Sequence, residues 1–298
     1  MAQKLSFQVT FATKRGKEES RLIVCTAHWH ETRIKVFNSL NFLWENDFSD
    51  PKLTIPRPLF FSEYFNGCFY EGIEGISLLE LIEKNDVKTL QSIIPLIAKW
   101  FAKLHSIKIS SRTNKLEQSL ITNVIPGKKQ ILDVIKERYP AMLADYKYIY
   151  GKLIKIENYH LAHLKKLSVT HGDAHPGNII YITKGHLGVI DFTDLCLADP
   201  ARDIGTFKQQ LEYMCRKKIT DETIPGKLFA IFLEHYLEYV KIKYTSDFDE
   251  RVNLYYNWTT IRTATYFLTQ GKLMLKAEYH QKAKKFIQQV KENLKNEN

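Results

Sequence analysis

Between residues 171 and 203 the chain sets out oxygen-bearing side chains in a fixed order: His171-Gly172-Asp173-Ala174-His175-Pro176-Gly177-Asn178, then Ile190-Asp191-Phe192, then Asp199-Pro200-Ala201-Arg202-Asp203. Asp173 and Asn178 share one polar loop, and Asp191 ends the apolar run that follows it. Carboxylates and a carboxamide are hard donors, suited to Mg²⁺, which keeps several waters and takes one or two carboxylates together with substrate phosphates. His171 and His175 flank Asp173, but His-x3-His on a Gly/Pro loop lacks both helical spacing and the Glu of a zinc-protease motif. The simpler role for His171 is to hold the loop by hydrogen bonding.

Such donors act together only if the chain gathers them. Ile179-Ile180-Tyr181-Ile182 and Leu187-Gly188-Val189-Ile190-Asp191-Phe192 read as two strands joined by the turn Thr183-Lys184-Gly185-His186. If they pair antiparallel, Asn178 at the start of one and Asp191 at the end of the other meet at the same rim. Around this hairpin the chain reads as helical from Ser77 onward. Ser77 and Glu80 form a capping-box pattern, 87–107 is a long amphipathic stretch carrying Pro95, and 114–166 offers two or three helices broken near 126–129 and Pro140. After residue 206 helical spacing continues to the end, with Gly271 interrupting the last pair.

The first 75 residues differ. KLSFQVTF and SRLIVCTA are rich in β-formers around the polar turn KRGKEE, and CFYEGIEG follows Pro56, Pro58 and LFFSEY. Ile34, Phe37, Leu40 or Asn41, and Trp44 recur at helical spacing, so 32–46 reads as a helix beginning near Glu31; the alternative is a strand TRIKVF. The expectation is an α+β fold, with a small β-rich part at 1–74 and a large helical part at 75–298.

Composition bounds the function classes. The 298 residues are 44% hydrophobic and 26% charged, which excludes wholesale disorder. The net charge of +10 raises nucleic acid or an anionic surface as partners, yet residues 171–205 carry two basic and five acidic side chains, and no basic cluster is unbroken. This distribution argues against nucleic acid. No run reaches the length of a membrane span, and the amino terminus lacks a signal-peptide core. Cys25, Cys68, Cys196 and Cys215 are widely spaced and read as reduced core thiols of a cytoplasmic protein. The sequence carries no signal for an oligomeric state.

HGDxxxxN followed by IDF and DPxxD resembles the signature of the aminoglycoside phosphotransferase and choline kinase superfamily, small-molecule kinases with a bilobal protein-kinase-like fold. The resemblance implies transfer of the ATP γ-phosphate to a hydroxyl of a small-molecule acceptor, with Asp173 as catalytic base, Asn178 and Asp191 as Mg²⁺ ligands, and Asp203 bracing the loop. Trp100–His105 is similar to the family's LAxLH helix and Ile55–Leu59 to the segment before its fourth strand. Phe69–Gly75 resembles the inter-lobe hinge, where the backbone of Glu71 and Ile73 would meet adenine. The amino-terminal part departs from the pattern. A kinase places a cation on the α/β-phosphates, usually a strand Lys paired with a helix Glu. SRLIVCTA holds no Lys; Lys35 fills the role only if TRIKVF is the strand, with Glu45 as its partner. GxGxxG is absent, and Lys14-Arg15-Gly16-Lys17 is either a phosphate-covering turn or an ordinary solvated one. A folded pseudokinase, or a nucleotide-binding partner protein without turnover, is the alternative.

Overall fold

The computed structural model describes residues 2–12, 16–28, 33–109, 116–270 and 275–295. Lys14 and Arg15 of the basic turn, Glu31 at the expected helix start, and Gly271 lie outside the described residues. The elements in chain order are β1 (Ala2–Ala12), β2 (Glu18–His28), α1 (Ile34–Leu43, continued by a π-turn over Trp44–Phe48), β3 (Leu53–Thr54), β4 (Arg57–Ser62), β5 (Gly67–Glu71), β6 (Ile76–Ser77), α2 (Leu78–Glu83) and α3 (Val87–His105). There follow α4 (Lys128–Arg138), α5 (Leu143–His163), β7 (Ser168–Thr170), β8 (Ile179–Thr183), β9 (His186–Val189), β10 (Cys196–Ala198), α6 (Ala201–Cys215), α7 (Ile224–Val240), α8 (Ser246–Thr269) and α9 (Ala277–Lys295). The class is α+β, as expected. The chain divides into two compact units, one of residues 1–112, 171–195 and 211–242, the other of 113–170, 196–210 and 243–298.

The first unit holds two four-stranded sheets, ordered β1-β2-β5-β4 and β3-β9-β8-β6. The long β1–β2 hairpin pairs Ala2 with His28 through to Ala12 with Glu18, and β5 pairs with β2 on one side and β4 on the other. In α1 the buried residues are Val36, Ser39, Leu40 and Leu43, the i, i+3, i+4, i+7 stripe of an amphipathic helix. A strand would instead have buried every second residue. TRIKVF is therefore helical, and Lys35, named as the strand cation, sits in the first turn of α1, where the strand reading does not hold. Glu45 lies in the π-turn.

The capping box forms as the sequence implies: the Glu80 amide donates to Ser77 Oγ (3.1 Å) and the Ser77 amide to Glu80 Oε2 (2.8 Å). Helix α3 runs through Pro95, which costs one backbone bond, because Ile93, Ile94, Ile97, Ala98, Trp100, Phe101 and Leu104 bury almost completely around it. At roughly 1.5–3 kcal/mol per large apolar side chain, this burial outweighs the break. Trp100 donates from Nε1 to the Thr54 carbonyl (3.2 Å) and packs edge-on against Phe48 and Phe101, tying α3 to the strand that borders β9.

In the second unit α8 packs against α5 and α9, burying Tyr255, Trp258, Ile261 and Leu268. The buried residues of α5 (Tyr146, Ile149, Tyr150, Leu153, Glu157, His160) and of α9 (Ala283, Ile287, Val290, Leu294) follow helical spacing. Ser168–Thr170 is a strand paired with β10. All four cysteines are free and buried. Among the described residues no helix is long and apolar enough to cross a membrane.

Candidate active site

The hairpin β8–β9 sets the register. Ile179 pairs with Val189, and the ladder continues one step beyond the strands because the Ile190 amide donates to the Asn178 carbonyl (2.9 Å). Asn178 therefore lies opposite Ile190, and Asp191 follows at the same rim, as the spacing implies. The short 3₁₀ turn Pro176–Asn178 delivers Asn178 from the loop to the strand. Its Nδ2 donates to the Asp173 carbonyl (3.1 Å), which leaves Oδ1 as the acceptor end of the carboxamide. Asp191 adopts a left-handed conformation, φ 67°, turning the chain sharply out of β9. Thr193 Oγ1 donates to Asp191 Oδ1 (2.8 Å), so one carboxylate oxygen is oriented and the other is left to bind.

Asp173 is held from both sides. Fully buried His171 accepts the Asp173 amide on Nδ1 (3.3 Å) and bonds through Nε2 to the Ile190 carbonyl (3.0 Å). An amide can only donate and a carbonyl only accept, so the imidazole proton sits on Nε2. One ring thus joins the loop of Asp173 to the end of β9. His171 packs against Phe192 and Trp100, with ring centroids 5.0 and 6.3 Å away. Gly172 has φ 83°, and a Cβ there would come within 2.2 Å of the Asp194 carbonyl oxygen; only glycine permits this approach. The Asp173 side chain is half-exposed, with His175 Nε2 3.7 Å from Oδ2. His175 accepts the Gly177 amide on Nδ1 (3.0 Å), so in its neutral form the ring turns an N–H toward Asp173. Burial holds the His175 pKa below its ordinary value, and the Asp173 carboxylate opposes the shift.

Glu71 ends β5, with its backbone in register with Ile23 and Arg57 and its carboxylate accepting from Arg21 (3.1 Å). The Gly72 amide then donates to the Leu22 carbonyl (2.7 Å). Ile73 lies over β9: a Cβ on Gly188 would meet Ile73 Cδ1 at 2.5 Å. Beside this segment the Tyr70 hydroxyl is pushed above its ordinary pKa, chiefly by burial, with Asp191 among the charges that add to the shift. The first unit therefore brings Glu71, Ile73, Asp173, Asn178, Asp191 and His171 onto its own strands and loop. Asp203 is buried in the first turn of α6 and belongs to the second unit. There Asp199 receives the Ala201 amide (2.9 Å) and the Arg251 guanidinium (2.6 Å), fixing the start of α6. Tyr255 buries its hydroxyl against Glu157 (3.2 Å) and serves the core.

Two residues at the rim escape the motif. Thr193 stands two positions past Asp191, and Arg33, the residue before α1, reaches it from Nη1 (3.4 Å). A hydroxyl just after an acidic strand end is a sequence signal for the first. For Arg33 the signal is a basic residue at the mouth of an amphipathic helix that has no acidic residue in its first turn.

Residues 5–237 match the phosphotransferase enzyme family. A search of the curated proteins gives no significant match. Among solved structures the chain is similar to a Plasmodium vivax ethanolamine kinase (TM-score 0.62, 15% identity, covering 97% of this chain and 81% of that one). It is also similar to the choline kinase LicA from Streptococcus pneumoniae (0.60, 16%, 91% and 89%). A third likeness is to the ADP-bound aminoglycoside phosphotransferase APH(2'')-Ib (0.56, 17%, 97% and 92%). These likenesses show a protein-kinase-like fold.

Proposed function

The chain belongs to the phosphotransferase enzyme family, and from that membership we propose that it moves the γ-phosphate of ATP, with Mg²⁺, to a hydroxyl of a small molecule. The observation that carries the reading is the wiring of Asp173, Asn178 and Asp191 through His171 and the β8–β9 ladder. Asp173 is the base: half-exposed, its carboxylate can orient an acceptor hydroxyl and take its proton as the phosphoryl group arrives. The His175 N–H facing Oδ2 steadies that carboxylate. A carboxamide oxygen from Asn178 and a carboxylate oxygen from Asp191 at one rim fit Mg²⁺, which would neutralise charge on the transferring phosphate. Asp203 would brace the loop from α6.

Residues 1–74 would cover the nucleotide, with the backbone of Glu71 and Ile73 against the base, and 75–298 would hold the catalytic loop and acceptor. Amino alcohols and aminoglycosides, the acceptors named for the similar structures, head the acceptor classes to screen. A cytoplasmic location accords with four free, buried thiols. The test is ADP release by purified protein against an acceptor library, with and without Mg²⁺. Acceptor- and Mg²⁺-dependent release is the expected outcome; ATP left intact with every acceptor would overturn the reading.

A further inference from the structure

The strand β2 carries no Lys at the place where kinases of this kind usually hold their phosphate cation, and Lys35 lies on a helix. A cation nonetheless reaches the metal rim. Arg33 is nine-tenths buried, its Nη1 donating to Thr193 Oγ1 (3.4 Å), and Thr193 in turn donating to Asp191 Oδ1 (2.8 Å). Its Nε is buried without a hydrogen-bond partner among the described residues. A guanidinium has five N–H donors, and a long bond to one neutral hydroxyl leaves most of that capacity unspent in a dry setting. Its charge also reaches β5, where burial pushes the Cys68 thiol up to about 12 while Arg33 pulls it down.

The backbone points to the same deficit. The Arg33 carbonyl accepts from the Phe37 amide (3.1 Å), which makes Arg33 the residue that opens α1. No side chain caps this helix, and its first turn holds no acidic residue. A cation at the positive end of a helix dipole is unfavourable unless an anion shares the site. Asp191 supplies part of that anion through Thr193; the rest of the guanidinium is matched by nothing described in the chain.

We propose that Arg33, presented by the start of α1, is the cation that holds the phosphates of the bound nucleotide, in place of a strand Lys. The proposal rests on the nucleotide reading above. In it the usual polarity is reversed: the helix brings the positive charge, and the Thr193 hydroxyl keeps that charge beside the metal ligand Asp191. Bidentate donors suit a pair of phosphate oxygens better than the point charge of an ammonium.

The experiment is a calorimetric titration of the full chain with Mg²⁺·ADP and, separately, with adenosine, for the wild type, Arg33→Met, Arg33→Lys and Thr193→Val, with each variant's fold checked by its thermal melt. Arg33→Met is expected to weaken ADP by roughly 10- to 100-fold and leave adenosine unchanged. Arg33→Lys should recover part of the loss, and Thr193→Val, which keeps the charge but cuts its tether, should weaken ADP severalfold. If Arg33→Met does not fold, the Lys and Val variants carry the test through the same ADP-to-adenosine ratio. Wild-type preference for ADP over adenosine that persists undiminished in the Arg33 and Thr193 variants would overturn the proposal while leaving the kinase reading intact. A wild type that binds neither ligand would overturn both.

Discussion

The segment 171–193 and the segment 18–43 carry their electrostatics in different ways. In the first, each functional side chain is fixed by identified atoms: His171 by two bonds, Asn178 by the Asp173 carbonyl, Asp191 by Thr193. In the second, β2 buries Val24 and Cys25, one on each face of the strand, and the charge that reaches the rim comes from the residue opening α1 through one long bond. Proton transfer and metal ligation demand a given atom at a given place to within a fraction of an ångström. A cation acts through its field, which falls off slowly in a dry interior, so the element that delivers it can change while the work it does persists. The contrast explains why one half of the site is written in a motif and the other is not.

The contrast is broken most sharply at Asp173. Asp173→Asn keeps the loop's bonds but loses the base, and turnover should drop by about 10³-fold, with ADP affinity in calorimetry almost unchanged. Equal losses in both would mean that the residue serves binding rather than chemistry. Next is Gly172→Ala, which leaves every named donor and acceptor in place but puts a methyl against the Asp194 carbonyl at φ 83°; about 3 kcal/mol of stability should be lost in urea unfolding. A variant as stable as the wild type would show that the loop is not held as tightly as its bonds imply. Asp191→Ala should abolish the Mg²⁺-dependent part of nucleotide binding, about thirtyfold in Kd, whereas binding without Mg²⁺ should change little.

The smallest effect lies outside both segments. Glu157, buried in the second unit, accepts from the Ile121 amide (2.9 Å) and the Tyr255 hydroxyl (3.2 Å), yet burial pushes its pKa from 4.5 up to about 7. The native state therefore binds this proton more tightly than the unfolded chain. Its contribution is fully present below pH 4.5 and is lost as pH rises through about 7. Glu157→Gln should remove that decline, worth about 1–2 kcal/mol between pH 5 and 8 in unfolding midpoints. An unchanged slope would show that Glu157 does not titrate in this range.

Much of this arrangement is legible in the sequence because two simple patterns govern it. Two short apolar runs on either side of Lys184-Gly185, one preceded by Asn178 and the other followed by Asp191, place those two residues at one rim, and the recurrence of Ile34, Phe37, Leu40 and Trp44 reads as a helix, although the face it buries is Val36, Ser39, Leu40 and Leu43. The rest depends on packing. Ser168–Thr170 and Cys196–Ala198 are three residues each, too short to show alternation, and pair across a sequence gap of more than twenty residues. Arg33 differs from any surface arginine only in where α1 sets it down. Lys35, two residues on, carries the same charge but cannot share its face of the helix. Lys35 takes the cation role only in the alternative reading of TRIKVF as a strand, which the helix replaces.

The single ring of His171 has a further consequence. One lone pair holds the Asp173 amide, and one proton holds the Ile190 carbonyl, at the residue that leads into Asp191. An opening of the loop that pulls Asp173 away must break the same imidazole bridge that anchors the strand end. Asp173 and Asp191 are in this sense one cooperative unit, ordered together and lost together, and a half-assembled loop is not a stable stopping point between them.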